Sequence, residues 1–90
     1  MTQSNSKVAV IVITYNGKHH LKECFESLKS QTFNNFEVFL IDNSSIDGSS
    51  YYTSKFFPYV NIIRFKKNYG FARGYNKAIK KVKSEYIALI

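Results

Sequence analysis

The chain has 90 residues, enough for one domain. It carries 13 Lys+Arg against 6 Asp+Glu, a net charge of +7, with 44% hydrophobic and 17% aromatic residues, a balance that excludes a disordered tail. Four Gly and one Pro exclude a fibrous repeat, and the single cysteine, Cys24, excludes a disulfide-stapled secreted fold.

Residues 1–6 are polar and read as a flexible lead, without the apolar core or cleavage site of a targeting segment. The longest apolar run, residues 8–13, falls far short of the roughly 20 residues of a membrane helix. A cytoplasmic, reduced location is the expectation.

Residues 8–13 are a β-branched run closed by Thr14-Tyr15-Asn16-Gly17, the pattern of a strand buried on both faces. Leu21, Cys24, Phe25 and Leu28 then recur at helical spacing, with Cys24 as a small apolar filler. That helix is predicted to end near Gln31-Thr32, with a turn at Asn34-Asn35. Residues 37–42 read as a second buried strand, ending in the polar loop 43–49. Asp47 is predicted to cap a short helix through Phe57, stopped by Pro58. The aromatic cluster Tyr51, Tyr52, Phe56 and Phe57 reads as core and helix-edge packing.

Residues 61–66 read as a third strand. Tyr75, Ala78, Ile79 and Val82 return to helical spacing, and Tyr86 opens a fourth strand. Alternating strands and helices predict a three-layer α/β domain, Rossmann-like, with parallel strands in the order 3-2-1-4 and helices on both faces. The chain stops within an apolar strand, which predicts the front part of a longer domain, with an exposed sheet edge open to dimerisation.

In open parallel sheets, ligands bind beyond the carboxyl ends of the strands. Those ends carry Thr14-Tyr15-Asn16, Asp42-Asn43-Ser44 and Lys66-Lys67-Asn68. An aromatic to stack on a base, a carboxylate to accept from a ring N–H and cations for phosphate make the composition of a nucleotide site. The segment Asn68-Tyr69-Gly70-Phe71-Ala72-Arg73-Gly74 adds two glycines that serve either turn geometry and helix–sheet packing or close approach to a ligand. His19 and His20 are adjacent on a helix and read as a solvated first turn rather than as metal ligands.

Eight of the 13 cations lie between Arg64 and Lys83, and no acidic residue falls between Gly48 and Ser84. The ordinary reading is a solvated basic face. The alternatives are peripheral contact with an anionic membrane or nucleic acid.

Four segments, Val-Ile-Thr-Tyr-Asn-Gly (12–17), Ser-Leu-Lys-Ser-Gln-Thr (27–32), Phe-Glu-Val-Phe-Leu-Ile-Asp-Asn-Ser-Ser-Ile-Asp-Gly-Ser (36–49) and Asn-Tyr-Gly-Phe-Ala-Arg-Gly-Tyr-Asn-Lys-Ala-Ile (68–79), occur in this order. Together they resemble the N-terminal half of a family 2 glycosyltransferase with the GT-A fold, of the bacterial and archaeal polysaccharide or rhamnosyltransferase-like type, over residues 7–90.

The resemblance implies a nucleotide-binding set of Thr14, Tyr15, Asn16, Asp42 and Asn43, with Tyr15 against the base and Asp42 on its ring N–H, which favours UDP- or dTDP-sugars. Asn43 stands where many members have a second Asp. The resemblance also implies a sugar-diphosphate set of Asn68, Gly70, Arg73 and Asn76. The family's Asp-x-Asp metal motif and its catalytic base come later than Ile90. A divalent metal (Mn²⁺ or Mg²⁺) and a saccharide or lipid-linked acceptor are therefore expectations for a full-length enzyme. No catalytic or metal residue is expected in residues 1–90, which are expected to be inactive alone. The competing expectation is a non-catalytic nucleotide- or nucleic-acid-binding α/β module.

Overall fold

A computed structural model describes residues 8–30, 36–82, 84 and 86–90. The lead 1–6, the helix end at Gln31-Thr32, the turn at Asn34-Asn35 and Lys83 lie outside the described residues. The elements run β1 (Val8–Thr14), α1 (Lys18–Lys29), β2 (Phe36–Asp42), α2 (Ser49–Phe56), β3 (Asn61–Arg64), α3 (Gly70–Lys81) and β4 (Tyr86–Leu89).

The four strands form one parallel sheet in the order β3-β2-β1-β4, as the alternation of strands and helices predicts. Period-two alternation along β1 splits its side chains between two cores. Ala9, Ile11 and Ile13 join Phe39, Ile41, Phe65, Ala78 and Val82 on the α3 face. Val10 and Val12 join Leu21, Phe25, Val38, Leu40, Phe57 and Val60 on the face covered by α1 and α2. β1 and β2, central in the sheet, are therefore apolar almost throughout.

α3 packs against β1 through Gly74, which is buried; a Cβ there would lie 2.4 Å from Cδ1 of Ile13. Of the two roles open to Gly74, the structure shows close helix–sheet packing. Gly70, at φ +77°, opens α3 in a conformation that favours glycine.

Two expectations need correction. β3 stops at Arg64 rather than Lys66, because its partner β2 ends at Asp42 in register with Arg64; one further bond, from the Phe65 N–H to the Asp42 carbonyl (2.8 Å), closes the pairing. Of the aromatic cluster on and after α2, Phe57 is buried and Tyr52 half-buried, but Tyr51 and Phe56 are exposed. This short helix turns Ser49 and Thr53 to the sheet instead, so its large rings cannot all face inward. His19 and His20 are both exposed in the first turn of α1, as expected, with ring centroids 3.9 Å apart.

Candidate functional site

Register places Thr14, Asp42 and Arg64 in one row across the carboxyl rim of β1, β2 and β3. The loops that leave this row are tied to each other. Asn16, at φ +54°, donates its N–H to Ser45 Oγ (2.8 Å) and accepts at Oδ1 from the Ile46 N–H (2.8 Å). Thr14 Oγ1 accepts from the Gly17 N–H at 3.2 Å. Asp47 accepts at Oδ2 from the Lys18 N–H (3.0 Å) and at Oδ1 from the Ser49 N–H (3.0 Å) and Oγ (2.5 Å). One carboxylate therefore serves the first residues of both α1 and α2, although the residue immediately before α2 is Gly48. Burial would raise the Asp47 carboxyl, but the bonds from Ser49 and Lys18 outweigh it and hold it below the ordinary carboxylate range.

Asp42 is fully buried. Its Oδ1 accepts from the Ser45 N–H (2.8 Å), and its Oδ2 from Ser50 Oγ (2.5 Å) and Arg64 Nη1 (2.7 Å). Arg64 also donates from Nη2 to the Ser45 carbonyl at 2.8 Å. Burial by itself would raise this carboxyl. The bonds from Ser50 and Ser45, followed by the Arg64 charge, more than offset burial and keep Asp42 ionised below its usual range.

Asn43 is buried and its amide faces the start of α3. Nδ2 donates to the Gly70 carbonyl (3.0 Å), while Oδ1 accepts from the Tyr69 N–H (2.9 Å). Asn68 Oδ1 accepts from the Gly70 N–H at 2.8 Å. Tyr15, Asn43, Asn68, Gly70 and Phe71 line a hollow of about 230 Å³ at this rim, with Tyr15 48% exposed along its edge. A larger hollow, about 750 Å³, lies between α1 and the end of α2, away from the strand ends.

Of the nine predicted site residues, the rim hollow brings together Tyr15, Asn43, Asn68 and Gly70. Thr14, Asn16 and Asp42 stand at the same rim but spend their side-chain oxygens on the loops. Arg73 and Asn76 lie exposed on α3 and do not line the hollow. Sequence reasoning missed Phe71, a lining residue whose signal was its place directly after Gly70; its spacing, four residues before Tyr75 and seven before Ala78, disguises it as part of the buried stripe, yet it is exposed. It also counted Arg64 with the basic run, because a third strand read to Lys66 hides the register that sets Arg64 beside Asp42.

The remaining cations of that run, Lys66, Lys67, Arg73, Lys77, Lys80 and Lys81, are exposed. Lys67 and Lys77 hold their ammonium groups 5.2 and 4.5 Å from the centroid of the Tyr69 ring. Among the described residues, no group of three or more His, Cys, Asp or Glu is placed to hold a metal ion, and no helix is long and apolar enough to cross a membrane. Burial raises the Cys24 thiol, which suits a packing residue and not a nucleophile.

A parallel sheet in the order β3-β2-β1-β4, with helices on both faces and a hollow at its carboxyl rim, defines an α/β half domain of the Rossmann-like type. Residues 9–90 match the family model described as glycosyl transferase family 2, and the chain belongs to that family. It is 32% identical over 87 residues to the putative glycosyltransferase EpsH of Bacillus subtilis, covering 92% of this chain and 25% of that protein. It is 33% identical over 86 residues to the glycosyltransferase GlyG of Streptococcus pneumoniae, covering 92% of this chain and 29% of that one. The chain thus spans about a quarter of the length of these relatives.

The structure of S. aureus TarS 1–349 in complex with UDP superposes with a TM-score of 0.83 at 28% identity, over 93% of this chain and 26% of TarS. The mannosyltransferase PcManGT of Pyrobaculum calidifontis, in complex with GDP-Man and Mn2+, has a TM-score of 0.75 at 23% identity, over 89% of this chain and 25% of its own. The fold is the GT-A type that the sequence resemblance implied.

Proposed function

We propose that this chain forms the nucleotide-holding part of a glycosyltransferase that takes a sugar from a UDP- or dTDP-sugar to a hydroxyl of a surface polysaccharide or glycolipid acceptor. The observation that carries the reading is the rim hollow, which the exposed Tyr15 lines together with Asn43, Asn68, Gly70 and Phe71. An aromatic edge suits a base, and amides beside the start of a helix suit a sugar diphosphate. UDP bound to TarS, a family neighbour of matching fold, supports the choice of a uracil-type nucleotide.

Asp42 is the acceptor for the base imide N–H in this reading. Its Oδ2 accepts from Ser50 and Arg64, and the Arg64 side chain, 47% exposed, has room to swing outward as the base enters. Ionised Asp42 only accepts, so it selects a pyrimidine with a ring N3–H, as uracil and thymine have and cytosine does not. Arg73, Lys67 and Lys77 supply positive charge for the diphosphate from the helix side.

Transfer itself needs a base to deprotonate the acceptor hydroxyl. Asp42 and Asp47, the two acidic residues at this rim, are both engaged by hydrogen bonds, so the chain holds the donor and leaves the proton transfer to other residues. The described residues do not fit a divalent cation, and no step is assigned to one.

Titrating UDP into isotopically labelled protein tests the reading. Amide shifts should gather at Tyr15, Asn43, Asn68, Gly70 and Phe71. Shifts gathered instead around Tyr52, Phe56 and Tyr59, at the larger hollow, would sink it.

A further inference from the structure

We propose that Asn43 is a positioning residue that sets the wall of the nucleotide hollow through the Tyr69–Gly70 backbone. This inference rests on the nucleotide reading of the same hollow. Three observations carry it.

The first is that one planar amide grips two successive residues. Asn43 Oδ1 accepts from the Tyr69 N–H, and Nδ2 donates to the Gly70 carbonyl, at 2.9 and 3.0 Å. The second is that Asn43 is itself held. It is buried, its own N–H bonds the Thr14 carbonyl at 2.8 Å, and its Nδ2 stands 3.3 Å from where a Cβ on Gly74 would be. The third is that the neighbouring side chains do little to fix the peptide that opens α3. The side chains of Asn68 and Phe71 are exposed, and Asn68 leans on the same backbone by accepting from the Gly70 N–H. The Tyr69 ring packs edge-on against Phe65, with centroids 5.5 Å apart, which anchors that side chain but not the peptide that follows it.

The chemistry demands an amide in particular. Only a group offering a donor and an acceptor side by side can satisfy an N–H and a carbonyl together. A carboxylate of the same shape would keep the Tyr69 bond but set a negative oxygen against the Gly70 carbonyl. Once protonated, it would donate again. Of the charged groups on the segments that meet Asn43, Asp42 faces Arg64, Ser45 and Ser50 instead, and Lys66, Lys67 and Arg73 are exposed.

The test uses Asn43→Ala and Asn43→Asp, with two readouts: amide hydrogen exchange at Tyr69 and UDP affinity by calorimetry, each relative to wild type at pH 5 and pH 8. Comparison at equal pH removes the titration of UDP itself. In Asn43→Ala, the Tyr69 amide should exchange at least about tenfold faster and UDP should bind about tenfold more weakly, the scale of a lost buried hydrogen bond. In Asn43→Asp, affinity should fall about tenfold at pH 8 and return to within about threefold of wild type at pH 5, because the carboxyl regains its proton. A role confined to stability would not give that recovery.

An unchanged Tyr69 exchange rate in Asn43→Ala, or an Asn43→Asp affinity that tracks wild type at both pH values, overturns the inference. If Asn43→Ala does not fold, the pH series on Asn43→Asp decides it alone. A wild type that binds no UDP, while Asn43→Ala still loses protection at Tyr69, would refute the nucleotide reading and support the grip of Asn43 on the wall.

Discussion

Arg64 Nη1 lies 2.7 Å from Asp42 Oδ2, so the last residue of β3 neutralises the last residue of β2 across the sheet rim. The pair is asymmetric, with Asp42 fully buried and Arg64 half-exposed. A buried carboxylate without its partners is costly, whereas an exposed guanidinium alone is not.

Asp42→Ala should therefore destabilise the domain by about 2 kcal/mol, less than breaking a fully buried pair because water screens Arg64. Arg64→Ala should cost at least as much, since it strands a fully buried carboxylate whose Oδ2 keeps only Ser50. Urea unfolding of both variants checks the order.

Acid should weaken the fold through Asp42 and Asp47. Both carboxyls sit below their ordinary value in the folded chain. Their contribution to stability is thus fully present above about pH 4, the unfolded range, and is lost as pH falls through the depressed folded values. Melting temperature plotted from pH 7 to pH 2 should drop below pH 4, and the drop should be shallower in Asp42→Asn.

Asp47→Ala removes one acceptor from the starts of two helices at once. It should cost about 1–2 kcal/mol, the range of a strong helix cap, and loosen the loops around Asn16. Faster amide exchange at both Lys18 and Ser49 is the expected signature; faster exchange at only one of them would contradict the shared role.

Gly74→Ala should destabilise by about 1–3 kcal/mol, because the new methyl group lands on Ile13 Cδ1 in a packed interface. Ile13→Val deletes that carbon, so the double variant should recover part of the loss. A double-mutant cycle showing no coupling between the two positions would contradict the packing described.

The strands and their order were legible in the sequence because both central strands are apolar on both faces and end in polar loops. The residues of the rim were legible too, since open parallel sheets collect ligands there. Their wiring was not. Asp42 reads from sequence as a free carboxylate at a strand end, yet Ser45, Ser50 and Arg64 converge on it from three segments. Asn43 reads as a ligand contact, but parallel pairing turns it toward α3 and spends its amide on the backbone. The α2 rings misled because a short helix resting on Ser49 and Thr53 leaves Tyr51 and Phe56 outward, an inversion that apolar spacing alone does not show.

The central claim is a uracil- or thymine-selective hollow at the rim, and calorimetry with UDP, dTDP, CDP, GDP and ATP on wild type, Tyr15→Ala and Asp42→Ala tests it most directly. UDP and dTDP should bind, while CDP, whose ring N3 carries no hydrogen, binds at least about tenfold more weakly; GDP keeps a ring N–H, so weaker binding of GDP and ATP reports the fit of a purine in the hollow. Tyr15→Ala should weaken UDP by about tenfold with little change in stability, since it removes a half-exposed stacking surface. Asp42→Ala, confirmed as folded, should erase the preference for UDP over CDP. Equal binding of all five nucleotides, or a UDP preference that survives Asp42→Ala, would contradict the account.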